Sequence, residues 1–159
     1  MDWFFVLLAV MTGIYLICAT VWDIKSREIY TFPCNVLTVL WIVHAVLQGK
    51  VEVGVIAAYV VFFVILYVVF NMTKTWGAGD SDLLLLFGSV SLAQVNGRIT
   101  LFDISGQCIA LACVLIISAI IGFIEARFKR ETLRKDSSIA IAPGYAVVII
   151  GSLIGGFIK

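Results

Sequence analysis

Gly77-Ala78-Gly79-Asp80-Ser81-Asp82-Leu83-Leu84-Leu85-Leu86 joins a glycine-bearing turn, two acids and a solid leucine block. A run that apolar belongs in hydrocarbon, and a carboxylate at its edge is expensive to keep, so Asp80 reads as functional. A second acid, Asp23, stands in the same way at the far end of the apolar stretch that begins at Trp3. Two carboxylates at membrane edges point to a shared proton.

The rest of the chain agrees with a bilayer as its solvent. Of 159 residues, 62% are hydrophobic and only 13% charged, and the mean hydropathy is +1.12. That is too much apolar surface for one soluble core. The net charge of +1 says little about partners, and no basic surface for nucleic acid is evident. The residues Met1-Asp2-Trp3 lack the basic start of a secretory signal, so the first apolar run is expected to remain as a helix. Cys18, Cys34, Cys108 and Cys113 form no Cys-x-x-Cys pair and read as small buried apolar side chains. With His44 as the single histidine, a zinc site has too few ligands, and no metal or cofactor is expected.

Apolar runs between polar breaks predict six crossings, near residues 3–21, 34–48, 52–71, 82–95, 104–124 and 140–158. Long unalternating runs are not strand-like, and only helices or closed barrels satisfy their backbone in lipid. The expected fold is therefore an all-α membrane bundle forming a single domain over residues 1–159. Lys25, Arg27, Lys74, Arg127, Lys129, Arg130, Arg134 and Lys135 fall on one side of this arrangement, against Lys50, Arg98 and Lys159 on the other. The basic side is the cytoplasmic one, which puts both termini outside. Two crossings then separate Asp23 from Asp80, so both reach the cytoplasmic edge, provided Gln48-Gly49-Lys50-Val51-Glu52 is a true turn. The polar stretch from Glu125 to Ser138 reads as a cytoplasmic loop or an extension of the fifth helix.

Peptide hydrolysis by water needs one group to take a proton from the nucleophile and another to protonate the leaving nitrogen. Two carboxylates sharing a proton fill both roles, because like charges close together do not both ionise. Gly77 and Gly79 would let a substrate backbone come near Asp80. The competing readings are a small ion or proton-coupled transporter, which requires polar groups through the membrane depth, and an assembly subunit whose aspartates only cap helices.

The segment Asp23-Ile24-Lys25-Ser26-Arg27-Glu28-Ile29, then Asn35, then Gly77-Ala78-Gly79-Asp80-Ser81-Asp82-Leu83-Leu84, and finally Ala142-Pro143-Gly144 resembles the prepilin peptidase family. These are membrane aspartyl proteases, and the likeness runs to the small forms that serve tight-adherence pili and archaeal preflagellins. The resemblance implies that Asp23 and Asp80 are catalytic and cut the basic leader from a pilin-like precursor at the cytoplasmic face of the inner membrane. The larger members carry a cysteine-bearing insert and N-methylate the product. This chain has no such insert, which implies a peptidase without methyltransferase activity.

Two departures stand out: Asp82 where the family usually has lysine, and a stretched Ile29-Tyr30-Thr31-Phe32-Pro33-Cys34-Asn35 in place of Ile-Pro-Asn. A basic leader prefers acids, so Glu28, Asp82 and Glu125 are candidate substrate contacts, and Pro143 and Gly144 are candidates to bind an extended substrate. His44 reads as a hydrogen-bonded interior residue. Trp3, Trp22, Trp41 and Trp76 read mostly as interfacial anchors, and Gly151 with Gly155 as a close-packing pair within the monomer.

Overall fold

The structure is a computed structural model that describes residues 3–73, 77–95, 101–129 and 139–158. Among these residues all regular structure is helical: α1 (Trp3–Ser26), α2 (Thr31–Gln48), α3 (Val53–Met72), α4 (Ala78–Ala93), α5 (Leu101–Lys129) and α6 (Ala142–Ile158). α1, α2, α3 and most of α5 are long and apolar enough to cross a membrane, as suits a membrane-embedded bundle. α4 and α6 are shorter, at 16 and 17 residues. At 1.5 Å per residue α4 extends about 24 Å, short of a hydrocarbon slab of about 30 Å.

The short helix is the central one. α4 packs against α2, α3 and α6, α1 against α2 and α6, and α5 against α6. Its leucine block is apolar on every side because it is covered on every side: Leu83, Leu84, Leu86, Phe87, Val90 and Leu92 are all buried. Outer faces are just as greasy but uncovered, with Ile14, Ile17, Ile65 and Phe123 each more than half exposed. In water that pattern would be an aggregation surface, whereas in a bilayer it is the lipid-facing wall. An apolar opening of about 610 Å³ lies between α3 and α5, lined in part by Tyr59, Phe63, Leu66 and Leu111.

Several boundaries follow from backbone chemistry that periodicity does not report. α2 starts at Thr31, earlier than the predicted residue 34, because Pro33 falls in the first turn, where its missing N–H would have had no partner. The Gln48–Glu52 segment is a true turn: Gly49 closes α2 at φ 59°, its N–H donating to the Val46 carbonyl at 3.1 Å. α4 begins at Ala78 instead of 82, taking Asp80 into its first turn. α5 runs on to Lys129, so the start of the polar stretch after Glu125 is a helical extension.

Other expectations are corrected by packing. Trp41 is no interfacial anchor: it is fully buried, its indole N–H donating to Thr12 Oγ1 at 2.9 Å. Cys108 and Cys113 are exposed on α5, where free cysteine serves as a small lipid-facing side chain. Gly151 and Gly155 face open space, with nothing near the position of a Cβ. Close packing uses Gly88 and Gly144 instead. A Cβ on Gly88 would lie 2.7 Å from the Phe63 ring of α3, and one on Gly144 would collide with the Val114 carbonyl and Ser118 Oγ of α5. His44 is buried among Phe4, Phe5 and Trp41, with Gln48 Nε2 2.7 Å from its Nε2. Trp76, Lys74, Arg98, the segment 130–138 and Lys159 lie outside the described residues.

Candidate active site

Asp23 occupies the last turn of α1, and the helix ends three residues later, at Ser26, in an unusual way. Arg27 adopts φ 58°, the left-handed conformation that usually selects glycine, and its N–H closes on the Asp23 carbonyl at 3.1 Å. The link to α2 is then pinned from two sides. Tyr15 donates its hydroxyl to the Tyr30 carbonyl at 3.0 Å, and Trp22 meets the Tyr30 ring edge-to-face at 4.6 Å. The Asp23 side chain is only 5% exposed, and its Oδ2 accepts the Ala142 N–H at 2.9 Å. That amide belongs to the first turn of α6, where backbone donors have no partner within the helix.

Asp80 is the third residue of α4. Its Oδ2 accepts the N–H of Gly77, the cap residue, at 3.2 Å, which is half of a capping box because glycine has no side chain to reciprocate. The candidate site residue is therefore also a helix cap.

The two carboxylates open onto one cavity of about 400 Å³, shared with Arg27, Glu28, Thr31 and Gly79. α1 and α4 are far apart in the chain, and what brings their ends together is a close backbone crossing. A Cβ on Gly79 would lie 2.6 Å from the Ile29 Cβ, so only glycine lets the start of α4 sit against the α1–α2 link. Gly77 has no such constraint. It is extended at φ −68°, and a Cβ there would make ordinary contact with the Asp80 carboxylate at 3.4 Å.

Of the candidate substrate contacts, Glu28 is exposed on the cavity wall. Glu125 reaches the same region by way of Arg27, whose Nη2 lies 2.7 Å from its Oε2. The other three do not line the cavity. Asp82 is 4% exposed and is not among the residues that line the cavity. Residues two apart on a helix face directions about 200° apart, so Asp80 and Asp82 cannot both look into one hollow. Pro143 and Gly144 are buried, the glycine holding α6 against α5. The group that segment contributes to the site is the Ala142 amide. A helix beginning at Ala142-Pro143 leaves that N–H unpaired, a signal present in the sequence but attached to the residue before the conspicuous ones. Arg27 and Ile29 were equally unmarked, since neither a left-handed backbone at arginine nor a backbone crossing leaves a trace in spacing.

An acceptor pair at one end of an otherwise apolar bundle, in a hollow large enough for a peptide backbone and water, can bind water and exchange a proton across it. Compared with protein-family models, curated proteins and solved structures, the chain matches none.

Proposed function

We propose that this protein is an aspartic endopeptidase of the inner membrane that removes the basic leader of pilin-like precursors at the cytoplasmic face. The observation that carries the reading is the meeting of Asp23 and Asp80 on one cavity at the end of the bundle. Support also comes from the resemblance of the segments around both aspartates to the prepilin peptidases. In this reading all six helices cross, the short α4 setting Asp80 below the level of the headgroups, and the exposed basic residues Lys25 and Arg127 flank the cytoplasmic rim.

Chemically, one carboxylate takes a proton from a water molecule as the water oxygen attacks the scissile carbonyl, while the protonated partner hydrogen-bonds the carbonyl oxygen. The resulting tetrahedral diol collapses, the carbon–nitrogen bond breaks, and the proton passes to the leaving nitrogen. The dyad ends with the single proton it began with. Ala142 and Gly77 hold the two side chains in place through backbone amides, which cannot themselves titrate.

The test uses purified protein in detergent and a synthetic precursor with its leader. Asp23→Asn and Asp80→Asn should each abolish cleavage, because an amide can neither accept nor share the proton, while Asp82→Asn retains it. Cleavage surviving in either of the first two would remove the dyad mechanism.

A further inference from the structure

The cavity holds a cation of its own. Arg27 is the single Lys or Arg among its lining residues, facing the carboxylates of Asp23, Glu28 and Asp80. Among the described residues its ion pair is with none of these acids. It spans to Glu125 on the extension of α5, with side chains 30% and 13% exposed respectively. Two features mark the arrangement as poised, not settled. Arg27 is the one non-glycine residue with positive φ among the described residues, a conformation its Cβ disfavours. Its Nη1 is shut off from solvent without an acceptor, leaving the guanidinium only half satisfied.

A guanidinium on a carboxylate at the wall of a leader-cutting site is chemically what a leader arginine or lysine would be. We propose that Arg27 is an internal competitor of the substrate, occupying Glu125 when the site is empty and yielding it to a cation of the leader. The inference rests on the peptidase reading above and adds to it how a basic leader is selected. A leader cation replaces one charge pair with another, so the Arg27–Glu125 pair is exchanged and not simply lost. A neutral leader residue has nothing to offer Glu125, which keeps Arg27 across the site. Discrimination arises from this difference and not from added affinity. Arg27 is thus a specificity residue, acting through Glu125 and not on the scissile bond.

The experiment compares KM and kcat on two synthetic precursors, one with its basic leader and one with the leader cations replaced by glutamine. The variants are Arg27→Gly, Arg27→Lys, Glu125→Gln and the Arg27→Gly/Glu125→Gln double variant. Glycine adopts the left-handed backbone without strain, so Arg27→Gly protects the fold. Expected is a KM about fivefold lower for the basic leader in Arg27→Gly, the order that a partly exposed ion pair supplies, with no such fall for the glutamine leader. Arg27→Lys restores the parent KM. Glu125→Gln raises KM for the basic leader alone, and in the double variant removal of Arg27 has no further effect. A KM that rises or stays level in Arg27→Gly would overturn the proposal and make Arg27 a brace.

Binding of the isolated leader peptide to the detergent-solubilised protein, followed by fluorescence anisotropy, gives a readout without cleavage. Binding that ignores both Arg27 and Glu125 overturns the proposal. Binding that follows them while no precursor is cut supports the competition and removes the peptidase reading.

Discussion

Two glycines two positions apart in the sequence, Gly77 and Gly79, are alike in composition and unlike in duty. Gly79 sits where the α4 backbone crosses Ile29, and a methyl group placed there meets that side chain at 2.6 Å. Gly79→Ala should therefore lower stability by about 1–3 kcal/mol through overpacking. By shifting Asp80 relative to Asp23 it should also reduce kcat/KM on the order of a hundredfold. Gly77→Ala, in extended backbone with room for a Cβ, should cost at most about 1 kcal/mol as a weaker cap. Cleavage assays and detergent melts of the two variants side by side would check this, and equal losses would show that the crossing at Ile29 does not position the dyad. At the same scale, Asp23 and Asp80 could be nominated from sequence because a carboxylate at the edge of an apolar run is unusual. Asp82 was a candidate on charge complementarity alone, and helical direction, not proximity in sequence, decides which acid faces the hollow.

Among the elements, α4 and α6 carry the burden of placing the site. α4 is short, buried all round and started by Gly77, so its first turn lies beside the ends of its neighbours instead of in solvent. α6 is pressed onto α5 at Gly144, which sets the Ala142 amide against Asp23. Gly144→Ala places a Cβ against an α5 carbonyl that cannot swing aside. The expected loss is about 1–3 kcal/mol of unfolding free energy in detergent, with weakened cleavage. Gly151→Ala, on the open face of the same helix, should stay within about 0.5 kcal/mol of the parent. Thermal melts of both variants read this directly. The existence and order of the helices could be seen in hydropathy alone, because crossing a bilayer demands long apolar runs. Their ends could not, because these depend on Pro33, Gly49 and Arg27, whose effect is on local backbone hydrogen bonding.

For the molecule as a whole, the two ends of the bundle are chemically unequal. One gathers Asp23, Arg27, Glu28, Asp80 and Glu125, while the α2–α3 turn at the other offers the exposed Lys50 and Glu52. With the acidic hollow at the cytoplasmic face, single cysteines at Glu28 and Lys50 in a background with the four native cysteines replaced should be labelled from opposite sides. A membrane-impermeant maleimide added to intact cells should reach Lys50→Cys, and Glu28→Cys only after permeabilisation. Labelling of both from the same side would contradict the proposed topology.

Composition and the spacing of apolar runs were enough to determine a helical membrane bundle and to nominate two carboxylates, since solvation penalties act on each residue wherever the chain later carries it. Which groups share the hollow is a different kind of fact. The meeting of the Asp80 end of α4 with Asp23, the amide of Ala142 on that aspartate, the Arg27 bridge to Glu125 and the burial of Asp82, Pro143 and Gly144 all depend on how helices distant in the chain pack. Contacts of that kind are set by shape at crossings such as Gly79 on Ile29, where the presence of one methyl group would decide the outcome.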